Sequence, residues 1–438
     1  MAFRHMTHML SATALTGALV LAAAPAASAD QTRQTQWALD ALQAESVWQI
    51  SKGNGVTVAV IDSGVNADHI DLQNNVIAGK DFIDGDDDAS SGESGETSSH
   101  GTEMAGIIAG HGHGVGAADG VMGLAPESKI LPIRSDVEND SSFADEIRYA
   151  VDQDASVINI SGFIAQDQPA DREAVKYALN KDVLIVTASG NEGRGDDINY
   201  PGEYPGTLVV GGVDRNGEIW EGSNYGPEVM LTAPATRIVS AGAPGNKLRI
   251  GDGTSDSAAF VSAAAALVRS KYPDLTAGQV ANRLVKTAVL PDSAKGISLP
   301  DEKYGYGSIR PLAALTEDIP AGSKYGPLKV FEADGSSVAP GVGKSDSEYA
   351  AEKKQADQKR LIVFTTLGII ALTVIGLVVW LIVRSARRNR NGPGGPASPG
   401  GYPQYGQQSA PPQYNPYQQP AQPQQNPYQQ QPPSPPQG

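Results

Sequence analysis

The sequence predicts an α/β protein: a three-layer domain with a mainly parallel sheet between helices, then one membrane-spanning helix and a disordered tail. Three observations carry this. Between Val56 and about Thr316, short runs rich in β-branched residues alternate with amphipathic runs, the pattern of a parallel sheet covered by helices on both faces. Residues 361–383 are 23 consecutive positions without a charge, long enough at about 1.5 Å per residue to cross a hydrocarbon core of roughly 30 Å. From Asn391 onward no residue is charged, Pro, Gln, Gly and Tyr dominate, and Asn-Pro-Tyr-Gln-Gln occurs at 415–419 and again at 426–430. Such a composition cannot bury a core.

Residues 1–29 open the chain with Arg4, an apolar stretch at 17–24 and Ala27-Ser28-Ala29 as an A-x-A cleavage site, which reads as a signal peptide. The mature chain then starts at Asp30. Strands are expected near 56–61, 129–133, 155–160, 183–188 and 207–213, and helices near 101–109, 142–152, 170–180 and 276–287. Thr276-Ala-Gly-Gln279 has the form of a capping box for the last helix, and the small-residue run at 257–267 is helix-like. The main domain, with a short N-terminal extension, is assigned to 30–316. Residues 317–360, rich in Gly, Ser, Pro and acids over their first part, are expected to be an extended linker to the membrane. Lys353, Lys354, Lys359 and Arg360 precede the apolar span and Arg384, Arg387, Arg388 and Arg390 follow it, so flanking charge does not orient it. The signal peptide does: it exports the domain and leaves 384–438 in the cytoplasm.

The formal net charge is −16, and residues 30–360 hold 28 basic against 49 acidic residues, a net of −21. This excludes nucleic acid as an expected partner. The absence of cysteine excludes disulfides, a thiolate nucleophile and thiolate metal sites, and a domain of nearly 300 residues buries enough surface to do without staples. No cofactor is expected. The acidic loop with Asp84, Asp86, Asp87, Asp88, Glu93 and Glu96 offers calcium as the lesser reading; it lacks the spacing of a recognisable binding loop and reads as solvated charge. His111 and His113 lie in a Gly-rich loop without carboxylate neighbours and read as solvated rather than as a metal pair.

The stretch Gly253-Thr254-Ser255 stands just ahead of the small-residue helix. A serine at a helix mouth can present its hydroxyl to a cleft while backbone N–H groups gather around a developing negative charge. It needs a base. The chain offers VAVIDSGV at 58–65, HGTEMAG at 100–106 and VTASGNEG at 186–193, in the order Asp62, His100, Asn191, Ser255. Singly, an Asp after a strand is often a turn former and Ser255 an ordinary N-cap. Together, in this order and with these contexts, they resemble the subtilisin-like serine proteases (subtilases), and the similarity runs over roughly 36–316.

The resemblance implies a subtilisin-like version of the three-layer fold and an endopeptidase acting on protein or peptide substrates. Asp62 would orient the His100 imidazole, His100 would take the proton of Ser255, and Ser255 would attack the scissile carbonyl to form an acyl-enzyme. The Asn191 amide and the Ser255 N–H would hold the oxyanion. Ser161, Gly162 and Phe163 would line the substrate, although Ile160-Ser161-Gly162-Phe163 stands where the family has Ser, a variable residue and Gly. His69 is implied to be a fold residue. Asp256 after the nucleophile, Ala259-Phe260 in place of the usual proline and its successor, and Glu103 one turn from His100 also depart from the pattern. Asp256 would oppose the oxyanion if it pointed into the site, and Glu103 would raise the imidazole pKa on close approach.

The layout also resembles mycosins, membrane-anchored subtilases associated with type VII secretion, which implies a secretion-machinery partner and a single-pass membrane location. The short lead-in with Trp37 and Trp48 leaves no room for a separate folding prodomain. The lack of cysteine and the long tail depart from that group. Two other functions compete: a catalytically impaired subtilase serving as a scaffold of a secretion complex, and a Pro/Gln-rich tail acting as a polyproline-like ligand.

Overall fold

Val58, Val60, Leu184 and Val186 point to one side of a sheet, and Ala59, Ile61, Val183 and Ile185 to the other; all are buried. Period-2 alternation with apolar residues on both faces requires a cover on each side, and helices supply it. In this computed structural model residues 31–91, 99–136, 142–195, 198–331, 337–338 and 380 are described. The chain divides into units 1–356 and 357–438. In the second unit only Trp380 is described, so the expected span at 361–383 and tail at 384–438 lie, that residue apart, outside the described residues. So does the expected signal peptide at 1–29. Among the described residues no helix is long and apolar enough to cross a membrane.

Among the described residues of unit 1–356 the strands are β1 (Thr57–Asp62), β2 (Lys80–Asp81), β3 (His111–His113), β4 (Asp119–Met122), β5 (Lys129–Arg134), β6 (Val157–Ile160), β7 (Leu184–Ala188), β8 (Thr207–Val213), β9 (Val229–Pro234), β10 (Ile238–Gly242), β11 (Lys247–Gly251), β12 (Val330–Phe331) and β13 (Ser337–Val338). The main sheet is seven-stranded, in the order β2-β5-β1-β6-β7-β8-β9, and every pair is parallel. All five expected strands are in it. Edge strand β2 is two residues long and carries no readable period. The antiparallel hairpin β10–β11 also lay beyond the pattern, for a physical reason: in β11 Leu248 and Ile250 are exposed while Arg249 turns inward.

The helices are α1 (Gln31–Thr35), α2 (Trp37–Ala41), α3 (Ala44–Trp48), α4 (His100–Ala109), α5 (Ala144–Asp152), α6 (Pro169–Asn180), α7 (Thr254–Lys271), α8 (Ala277–Thr287) and α9 (Pro311–Thr316). α5 and α6 cover one face, with Phe143, Ile147 and Val175 against Ala59 and Ile61. α4, α7 and α8 cover the other. Residues 254–269 of α7 are buried without a break, as expected of a helix apolar or small all round, and its alanines allow close approach to the sheet. The Thr276 and Gln279 capping box opens α8 as its sequence predicts.

The lead-in helices are tied to the domain by polar contacts. Gln36 exchanges two hydrogen bonds with the backbone of Met122, the Trp37 indole donates to Thr236 O (2.9 Å), and the Trp48 indole donates to Leu124 O (3.0 Å). The linker begins later than expected: residues 317–331 still lie on the domain. Leu328 is in the core, Arg283 donates to Glu317 O, and Thr276 donates to Lys324 O. Arg283, buried between α8 and α9, needs carbonyl acceptors, and Ala314 of α9 together with Glu317 and Ile319 beyond it provide them.

Candidate active site

In a parallel sheet the loops that leave the carboxyl ends of the strands gather on one side, where ligands bind. β1 ends at Asp62, β6 runs into Ser161, and β7 runs through Ser189 and Gly190 to Asn191. α4 begins at His100 and α7 at Thr254. The sequence scatters these residues over nearly 200 positions; the topology collects them.

Asp62 is fully buried. Its two oxygens lie 2.9 Å each from His100 Nδ1, and one of them accepts from the Ser63 N–H (2.7 Å). The proton on Nδ1 is therefore held toward the carboxylate, leaving Nε2 as the acceptor of a neutral ring. Ser63 also receives a first-turn amide of α4, Gly101 N–H, on its hydroxyl (3.1 Å), which joins the strand end to the helix mouth. Burial pushes the His100 pKa down, but Asp62 outweighs it, and Glu103 and Asp256 add to the rise, leaving the imidazole raised to about 9.

Asn191 is aimed by its carbonyl oxygen, which accepts from Thr254 N–H (2.9 Å) and from the Thr254 hydroxyl (2.8 Å). That leaves its Nδ2 group facing the helix mouth. A Cβ placed on Gly253 would lie 3.7 Å from Ser255 N and 3.9 Å from Asn191 Nδ2, so both donors border one space. Gly190 turns the chain into this position at φ +109, where a side chain would also collide with Asn224. Ser255 is 7% exposed, in the first turn of α7. Among the described residues neither its hydroxyl nor His100 Nε2 has a hydrogen-bond partner. Chemically, the arrangement is a base with an orienting carboxylate, a hydroxyl at a helix N-terminus, and two donors suited to an oxyanion.

Ser161, Gly162 and Phe163 follow β6, beside the strand that carries Asp62 and the strand that leads to Asn191. The Ser161 hydroxyl accepts from Asn159, which in turn accepts from Ser262 of α7 (3.0 Å each). Phe163 is 48% exposed.

Asp256 also borders the space between Asn191 and Ser255, one of its oxygens lying 3.8 Å from the same Cβ position on Gly253, and Arg249 donates to both of its oxygens (2.7 and 2.9 Å). Burial still lifts its pKa to about 6 against the pull of Arg249. Glu103 is paired with the same guanidinium (3.0 Å) and accepts from Ser99. Thr254, which aims Asn191, and Arg249 were missed by sequence reasoning. The first was legible as the middle of Gly-Thr-Ser; the second only as a cation between two apolar residues of a short run.

His113 corrects the expectation of histidines without carboxylates. Its Nδ1 lies 2.6 Å from Asp71, brought near by the β3–β4 hairpin, whose Val121 N–H also donates to Asp71. His69 is fully buried against Lys247 O, as a fold residue would be. In the acidic loop, Arg134 bridges Asp81 and Asp84, so that part of its charge is paired; residues 92–98 lie outside the described residues.

The family model described as "Subtilase family" matches residues 53–307. Among curated proteins the chain is similar to Mycosin-1 of Mycolicibacterium smegmatis, 32% identical over 356 residues, covering 68% of this chain and 76% of that protein. It is also 35% identical to the intracellular serine protease of Paenibacillus polymyxa over 272 residues, covering 59% and 82%. Among solved structures it resembles MycP1 from Mycobacterium smegmatis (TM-score 0.57, 30% identity, 68% of this chain and 88% of that one). It likewise resembles the MycP3 protease from the type VII (ESX-3) secretion system (TM-score 0.54, 34% identity, 64% and 88%).

Proposed function

Because this chain belongs to the subtilase family and is a subtilisin-like serine protease, we propose that it hydrolyses peptide bonds in protein substrates through Ser255, His100 and Asp62. His100 Nε2 accepts the Ser255 proton as Oγ attacks the scissile carbonyl. The oxyanion that forms is met by the Ser255 N–H and Asn191 Nδ2. The imidazolium, steadied by Asp62, then returns the proton to the leaving amine as the C–N bond breaks, and water, deprotonated by His100, hydrolyses the acyl-enzyme to release the acid product and restore the Ser255 hydroxyl. The observation that carries this reading is the paired fixing of its two halves. Asp62 holds the imidazole through both oxygens, and Thr254 holds Asn191 so that its amide borders the Ser255 N–H.

The protease acts outside the cytoplasmic membrane, anchored by residues 361–383, beside secretion machinery. The signal-peptide pattern and the apolar span support the location, and the likeness to MycP1 and MycP3, both described as type VII secretion proteins, supports the setting. A fluorophosphonate probe tests the chemistry. It should label the folded protein at Ser255 and fail to label Ser255→Ala. A folded wild-type protein that does not react would overturn the enzymatic reading in favour of a scaffold role.

A further inference from the structure

We propose that Arg249 is a positioning residue for hydrolysis: by pairing at once with Glu103 on α4 and Asp256 on α7, it fixes the helix that carries His100 against the helix that carries Ser255. This rests on the assignment of His100 and Ser255 above. Glu103 is one turn beyond His100, and Asp256 directly follows Ser255. Both acids are buried, Asp256 completely. Left alone they would repel, and each would need a partner for a desolvated charge. Arg249 meets both with different edges of one planar fork: Nε lies 3.0 Å from Glu103, and Nη1 donates to Asp256 at 2.7 and 2.9 Å. Lysine, a point charge, has no second edge.

The surroundings are shaped for this group. A Cβ on Gly251 would lie 2.3 Å from the guanidinium carbon, so a glycine is needed for Arg249 to fold back over its own strand. Ser240, opposite Arg249 in the β10–β11 pairing, donates to Glu103 O (2.6 Å) and fastens the hairpin to α4. The remaining Glu103 oxygen is taken by Ser99. From β11 the chain reaches Ser255 through only three intervening residues.

The latch also sets the charge around His100. The groups that face the imidazole are Asp62 from β1, Glu103 from its own helix and Asp256 from α7. Arg249, with Asp252 beside it, balances part of the negative total. Removing the guanidinium should favour the imidazolium, which cannot act as a base, and so move the acidic limb of kcat/KM to higher pH. Removing a carboxylate should move it to lower pH.

The experiment compares Arg249→Met, Glu103→Gln and the triple variant Arg249→Met with Glu103→Gln and Asp256→Asn, in the full-length chain. Active sites are counted by fluorophosphonate titration. Arg249→Met should lower kcat per titrated site about tenfold or more, change KM little, and raise the acidic limb by about one pH unit. Glu103→Gln should lower the limb. The triple variant should recover kcat to within about threefold of wild type. A purely structural role would reduce the titratable fraction but leave kcat per site and the limb where they were, and that result overturns the proposal. If Arg249→Met does not fold, an unmoved limb in Glu103→Gln overturns it instead. An unreactive wild-type protein would mark failure of the assignment of Ser255, a separate outcome.

Discussion

At the scale of the residue, the proposed site leaves few orientations open to its side chains. Asn191 can turn its amide only one way because Thr254 takes its carbonyl oxygen with two donors. Asn191→Ala should therefore lower kcat by about 10²–10³ with KM little changed, the loss of one oxyanion donor, read by steady-state kinetics on a peptide substrate. An unaltered kcat would remove Asn191 from the mechanism. His100 gives the second expectation. With its pKa raised to about 9, the neutral base is scarce at pH 7. On the free enzyme kcat/KM should climb about tenfold per pH unit below that value and level off above it. Stability runs the other way. Since the folded pKa is above the unfolded value of about 6.5, the stabilisation from the imidazolium is fully present below pH 6.5 and is lost as pH rises through 9. A pH–rate profile and melting curves across pH 6–10 check both signs.

At the scale of the element, the strand ends decide where specificity can act. Phe163 leaves β6 half-exposed on the side where the proposed machinery gathers. We expect its ring to narrow the primary pocket and favour small side chains before the scissile bond. Phe163→Gly should widen the profile to larger residues in a peptide library. A wild-type preference for large aromatic residues, unaffected by that change, would refute the pocket argument. The lead-in helices α1–α3 make their long-range side-chain hydrogen bonds to Met122, Leu124, Thr236 and Val239. None of these is a proposed site residue. A chain starting at Asp30 should therefore fold and react with a fluorophosphonate before any clipping. Reactivity gained only after loss of the lead-in would make that segment an inhibitor.

At the scale of the whole molecule, charge is the long-range actor. Residues 30–360 carry a net −21, a field that should draw basic segments toward the protein. Exposed charges are screened beyond roughly 10 Å at 0.1 M salt, so preference for basic peptides should fall as ionic strength rises. Cleavage profiles taken at low and high salt decide this; selection that does not change with salt would discard it.

What the sequence determined by itself was whatever is written locally. Five central strands follow from buried β-branched runs such as 184–188, the start of α8 follows from Thr276 and Gln279, and the fold class follows from the alternation of the two periods. Asp62, His100, Asn191 and Ser255 were legible as candidates because each sits in a run of neighbours that resembles the subtilases. The tertiary structure decided what depends on residues meeting across the chain. It paired Asp256, which borders the space beside the Ser255 N–H, with Arg249, gave His113 the carboxylate of Asp71, and kept residues 317–331 on the domain, with Glu317 and Ile319 as acceptors for Arg283. Pattern cannot supply these. A charge buried among apolar neighbours looks like surface until its partner, dozens or hundreds of positions away, is folded against it, and the need to pair desolvated charge acts only once the chain is compact.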